Sequence, residues 1–281
     1  MLAAALVVAL VLAAFLISSN GIVHTAGSQL GGGTAASANT PQKADNAKLS
    51  AEWGNVPERL VELGALNASF LNAMGLDTKQ AGILDGSGDG GVVLDKGNAT
   101  FDLYVLWALG MNNKNSIINN GTIMHFGGSP YGLASTGGYG PLGTLSLGGL
   151  SILNLTAAEQ SVADAVAAGT YRPCCNNPAA FPDCNHGAAQ LGLIELMASQ
   201  GWNAAQIYDA LKQFNALYYP EQYAELAAYF NYTQGKAWDD VPAEAAMGRN
   251  YSSASGAYAV HAYLADRNLL PGKGAGQGSS C

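Results

Sequence analysis

Charge is what this chain has least of. Its 12 Lys/Arg and 20 Asp/Glu make up 11% of the 281 residues, where a soluble domain carries about a quarter. The first Lys or Arg is Lys43. A net charge of -8 with so few Lys and Arg leaves no basic stripe to follow a phosphate backbone, so no nucleic-acid partner is expected. Cysteine is scarce too. Four are too few for a disulfide-framework miniprotein, although in an exported chain they allow two bridges in three pairings. C-x-x-C-H is absent, which removes covalent c-type haem. Gly138-Tyr-Gly-Pro-Leu-Gly143 has the letters of a dinucleotide loop, but no strand pattern precedes it and Pro141 interrupts it.

Apolar residues are plentiful, and they begin at once. Leu2 to Ile17 is an unbroken apolar run, and Ser18 to Val23 extends it to the length of a spanning helix. Ser19-Asn20-Gly21 is a weak cleavage signal, and no cysteine follows to carry a lipid. Residues 1–23 therefore read as an N-terminal membrane anchor in preference to a removed signal segment, with the membrane as partner. Residues 24–51, rich in Gly, Ala, Ser and Thr, read as a flexible linker that cannot bury enough apolar surface to fold. Six N-x-[ST] sequons, at Asn67, Asn98, Asn120, Asn154, Asn231 and Asn250, exceed chance for this composition and suggest glycosylation outside the cytoplasm.

From about 52 to 270 the patterning is helical, and the fold class expected is mainly α: an irregular helical domain behind the N-terminal apolar helix. Pro57 suits a first helical position, and apolar residues recur at helical spacing to Met74. Phe101 to Met111 reads as a buried helix capped by Thr100. Gly127 to Gly149 reads as a long glycine-rich loop over the helical core. Thr156-Ala-Ala-Glu159 is a capping box for a helix ending at Gly169. Further helices are expected from about His186 to Ser199, from Ala204 to Tyr218 behind an Asn203 cap, from Pro220 to Phe230, and from Ala254 to Ala265. Residues 271–281 form a Gly-rich tail ending in Cys281.

Two stretches carry candidate chemistry. Asp85-Gly-Ser-Gly-Asp-Gly resembles the start of a calcium loop, with Asp85, Ser87 and Asp89 as oxygen ligands. Lys96 stands where a bidentate Glu is expected, so a plain Gly/Asp turn competes with it. Tyr171 to Gly187 is the denser stretch. It holds Cys174, Cys175, Cys184 and His186, with Pro173, Pro178 and Pro182 forbidding regular structure. Those four side chains suit a tetrahedral zinc or copper site. Neighbouring cysteines usually point apart, so the metal reading asks for an unusual turn. Alternatively the cysteines are structural, pairing among Cys174, Cys175, Cys184 and Cys281. A third reading makes Cys184 reactive, because it precedes a helix N-terminus that lowers a thiol pKa.

The chain resembles a group of exported, membrane-associated proteins. The resemblance rests on Tyr171-Arg-Pro-Cys-Cys, Phe181-Pro-Asp-Cys-Asn-His-Gly and Leu193-Ile-Glu-Leu-Met. It also rests on Leu106-Trp-Ala-Leu-Gly, Asn113-Lys-Asn, Ala134-Ser-Thr-Gly-Gly and Tyr251-Ser-Ser-Ala-Ser-Gly. It covers roughly 101–281 and implies an exported, mostly helical protein, with no activity attached. The leading functional expectation is a membrane-anchored cell-envelope binding or interaction protein with a disulfide- or metal-stabilised Cys/His loop. An extracytoplasmic metal- or thiol-dependent redox enzyme is the alternative. A self-assembling surface filament or surface-layer subunit is a third.

Overall fold

The computed structural model describes residues 47–88, 90–125, 143 and 146–272, and what it describes is mainly helical. Strand β1 (Ala47–Glu52) comes first. Helices α1 (Val56–Glu62), α2 (Ala68–Ala73) and α3 (Thr78–Asp85) lead to strand β2 (Gly91–Leu94). The strands pair antiparallel, Ala47 with Leu94 and Glu52 with Gly91, with an irregularity between. Ala47–Ala51, the end of the stretch read as linker, is therefore strand. Its Leu49 and Ala51 are buried alongside Val92 and Leu94 of β2, so tertiary burial overrides the weak local signal.

Helix α4 (Ala99–Asn112) starts two residues before the sequence expectation, with Asn98 and not Thr100 at the N-cap position. After the short α5 (Ser116–Asn119) comes α6 (Ala157–Gly169), opened by the Thr156/Glu159 capping box as expected. Then follow α7 (Asn185–Ser199), α8 (Ala204–Tyr218) and α9 (Pro220–Gln234). The chain closes with α10 (Ala243–Met247), α11 (Arg249–Ser252) and α12 (Ala254–Ala265). Asn203 and Gln206 form a second reciprocal cap on α8, and Gly235 in the left-handed region ends α9.

Helix α7 is the axis of the core. Every residue from His186 to Ala198 is buried, because its apolar residues run all the way round and it must be covered on every side. It packs against α4, α6 and α8. The crossing with α4 is close. A Cβ on Gly110 would fall on the Ala188 carbonyl oxygen, and one on Gly192 on the Leu106 carbonyl oxygen. The aromatic run of α8 and α9 is core: Tyr218, Tyr219, Tyr223 and Phe230 are all buried, and Tyr229 half-buried.

Among the described residues no helix is long and apolar enough to cross a membrane. The Leu2–Val23 run, the linker up to residue 46, the glycine-rich stretch 127–142 and Cys281 lie outside the described residues.

Candidate metal centre

The stretch between α6 and α7 is irregular because of its prolines, but its backbone is tied down at both ends. Ala180 N–H bonds the Ala167 carbonyl of α6 at 3.1 Å, and Ala179 N–H bonds Thr170 at 2.8 Å. Tyr171 N–H donates to Met247 at 2.9 Å, and Ala254 N–H of α12 donates to Cys175 at 3.0 Å. Asn176 Oδ1 caps the same helix by accepting from Ser255 N–H and Oγ–H. Three helices thus hold one loop.

Inside that loop three sulphurs converge. Cys174 Sγ lies 3.7 Å from Cys175 Sγ and 3.6 Å from Cys184 Sγ, and Cys175 to Cys184 is 3.9 Å. They form a group able to hold a metal ion. The expectation that adjacent cysteines point apart fails here. A turn closed by Cys175 N–H on the Arg172 carbonyl, 3.4 Å, swings both thiols towards Cys184. All three separations exceed the roughly 2.05 Å of a disulfide, so none of the three sulphurs is bonded to another. Cys184 is buried and the other two are half-buried.

Arg172 is the residue that sequence reasoning missed. Its side chain is fully buried. Nε–H donates to Cys184 Sγ at 3.0 Å and Nη1–H to the Asn177 carbonyl at 2.9 Å. Nη2–H donates to Asp183 Oδ1 at 2.5 Å, and the other carboxylate oxygen accepts from Asn177 Nδ2 at 2.6 Å. Burial opposes the guanidinium charge, and the neighbouring Cys184 and Cys175 sulphurs more than offset it, so its pKa is raised. Gly187 makes room, because a Cβ there would collide with the Arg172 guanidinium. The signal was present in Tyr171-Arg-Pro-Cys-Cys and in His186-Gly187, but only the folded loop brings the two together.

Cys184 is the N-cap of α7 and accepts from Gly187 N–H at 3.4 Å. Two N–H donors, from Arg172 and Gly187, thus point at its sulphur. Tyr219 O–H donates to Cys174 Sγ at 3.0 Å. Cys175 Sγ–H faces Asp183 Oδ1 at 3.9 Å, and the Arg172 charge pulls its pKa down only in part. Its thiol pKa is pushed up, first by hydrogen bonding with Cys174 and Cys184 and then by burial.

His186, the fourth residue of the expected metal set, does not belong to the converging group among the described residues. Its ring packs between Tyr218 and Tyr219, each 5.2 Å away centroid to centroid. Burial pushes its pKa down to about 4, so it is neutral near pH 7.

The other candidates lie elsewhere. Asp85 is exposed at the end of α3, where its Oδ1 accepts from Ser87 N–H at 2.9 Å and Gly86 takes the left-handed turn. Asp89 lies outside the described residues. Of the sequon asparagines, Asn67, Asn120, Asn154, Asn231 and Asn250 are exposed. Asn98 is half-buried, with Nδ2 bonded to Asp95 at 2.9 Å and Oδ1 accepting from Gln80 at 3.1 Å.

A second buried polar centre lies at the far end of α7. Glu195 is wholly buried. It accepts from Asn113 Nδ2 at 2.8 Å and from Asn115 Nδ2 at 2.6 Å. No family model, curated protein or solved structure matches this chain. Fold and site together define its class: a mainly helical protein carrying three convergent thiols at the cap of its central helix.

Proposed function

We propose that this is a metal-binding protein of the cell envelope, anchored by its apolar N-terminus, with Cys174, Cys175 and Cys184 as ligands of a thiophilic transition ion. The single observation that carries the reading is the sulphur triangle, with edges of 3.6, 3.7 and 3.9 Å. Three thiolates that share one ion stand at about this spacing, close enough that the same sulphurs, as thiols, hydrogen-bond to one another. Soft sulphur donors select zinc(II) or copper(I) over calcium or magnesium. The Arg172 guanidinium would offset part of the thiolate charge and orient Cys184, as second-shell partners of metal ligands do.

The test is the native mass and metal content of the full chain, exported and never reduced. About one zinc or copper per chain is expected, with Cys184→Ser reducing it at least tenfold. A metal-free chain lighter by the hydrogens of one or two disulfides would sink the reading and restore the structural role of the cysteines.

A further inference from the structure

We propose that a groove between α6, α8 and α10 binds a small organic cation, a primary alkylammonium. The groove has a volume of about 580 Å³, within the roughly 300–1,000 Å³ of small-molecule sites. Its lining includes no residue of the cysteine loop, so the inference stands apart from the metal reading. Val166 of α6 and Ala243 of α10 are buried and make an apolar floor. Asp209 of α8 and Glu244 of α10 are exposed and make the rim.

Tyr208 of α8 marks the groove as a site. It lines the groove, and only 6% of it is exposed. Its ring end passes close over Gly169, the last residue of α6, where a Cβ would fall on the hydroxyl oxygen. That hydroxyl has no hydrogen-bond partner among the described residues, yet it is not one of the sealed polar atoms of the core. It therefore faces the groove. A buried hydroxyl left unbonded costs free energy, and a ligand that bonds it removes the cost.

Charge decides the sign of the ligand. Asp209 and Glu244 form no hydrogen bond or ion pair among the described residues, and no Lys or Arg lines the groove. Lys212, close enough to Asp209 to feel its charge, donates instead to the Trp238 and Val241 carbonyls. Burial, and after it the Glu244 carboxylate, raises the Tyr208 pKa, so the hydroxyl stays neutral near pH 7. Two carboxylates repel an anion and attract a cation. A primary ammonium carries three N–H donors and no acceptor, which matches a hydroxyl oxygen and carboxylates. A quaternary cation has no N–H to give. The alkyl tail lies on the apolar floor, where its own surface leaves water.

The probe is n-butylammonium, titrated into the detergent-solubilised full chain and followed by saturation-transfer NMR, with n-butanol and butyrate as neutral and anionic controls. Butylammonium should bind saturably and more weakly as salt is raised, and butyrate should not saturate. Tyr208→Phe and Glu244→Gln should each weaken butylammonium binding about three- to tenfold. Asp209→Asn gives the same reading should Glu244→Gln not fold. Tyr208→Phe should also melt at the wild-type temperature, because the hydroxyl has no bond to lose. Equal binding of butanol or butyrate, no saturation by butylammonium, or wild-type affinity in any of these variants would overturn the inference. So would a lower melting temperature in Tyr208→Phe, which would give the hydroxyl a partner inside the fold. Binding that appears only in Lys43→Ala or Lys273→Ala would overturn it too, because the occupant would then be a lysine of this chain.

Discussion

At the scale of single residues, two buried ionisable side chains set the character of this molecule. Glu195 faces two amides whose orientation is fixed from behind. Asn113 Oδ1 accepts from Ile152 and Leu153 N–H at 3.1 and 2.8 Å, and Asn115 Oδ1 accepts from Ile117 N–H at 2.8 Å. Their NH2 groups must therefore point at the carboxyl. Glu195→Ala would leave both unsatisfied in the core, and urea melts should show a loss of about 2–5 kcal/mol. Burial, the larger influence, pushes the Glu195 pKa well up despite the two amide bonds that pull it down. The folded state thus holds this proton more tightly than the unfolded chain does. The resulting stabilisation is complete below about pH 4.3 and is lost as the pH rises through the folded value. The stability gap between wild type and Glu195→Ala should therefore narrow from pH 4 upwards. A gap that widened would contradict the assignment. Arg172 is the second of these groups. Gly187→Ala should displace its guanidinium and weaken metal binding at least tenfold, as loss of an outer-shell partner does, measured by competition with a chromophoric chelator. Arg172→Lys keeps the charge but loses the fork and should fall short of wild type in the same assay. Neither group announced itself in the sequence. Arg172 and Glu195 stood in quoted motifs without a role, since their partners lie up to 82 positions away.

At the scale of elements, the crossing of α4 and α7 decides more than helix propensity does. An alanine in place of a helical glycine ordinarily stabilises a helix by about 1 kcal/mol. At Gly110 or Gly192 the added methyl group would meet a carbonyl oxygen of the facing helix. Overpacking of that kind costs about 1–3 kcal/mol, and more where backbone must move. Gly110→Ala and Gly192→Ala should each lower the denaturation midpoint; a raised midpoint would mean the helices do not meet there. Helices bounded by local chemistry were legible in the sequence. The Thr156 box, the Asn203 cap and the Pro220 start all stand where expected. So does α12, whose Ser253 hydroxyl accepts from Gly256 N–H. The α4 start was misplaced because Asn98 gives no side-chain cap. The two strands were missed because β1 is read from a Gly/Ala/Ser/Thr background and stabilised only by pairing and burial. The sulphur cluster was half legible. Cys174, Cys175 and Cys184 of the four residues named do converge and His186 does not, and the turn that aims Cys174 and Cys175 at Cys184 depends on where Arg172 is held.

At the scale of the whole molecule, the loop that joins α6 to α7 also touches α10 and α12, so occupancy of the triangle is linked to global stability. A ligand present at a hundred times its dissociation constant stabilises by about 2.7 kcal/mol, which for a domain of this size raises the melting temperature by about 5–10 °C. Added zinc should produce a shift of that order, a chelator should reverse it, and Cys184→Ser should show none. An unchanged melting temperature in wild type would argue against the site. The backbone ties from Ala179, Ala180, Tyr171 and Ala254 have a further consequence, and it concerns time. A site whose scaffold is already in place does not wait for a chain to fold around its ion. Uptake should then be a single fast phase, first order in metal and complete within the mixing experiment, with no slow conformational step behind it.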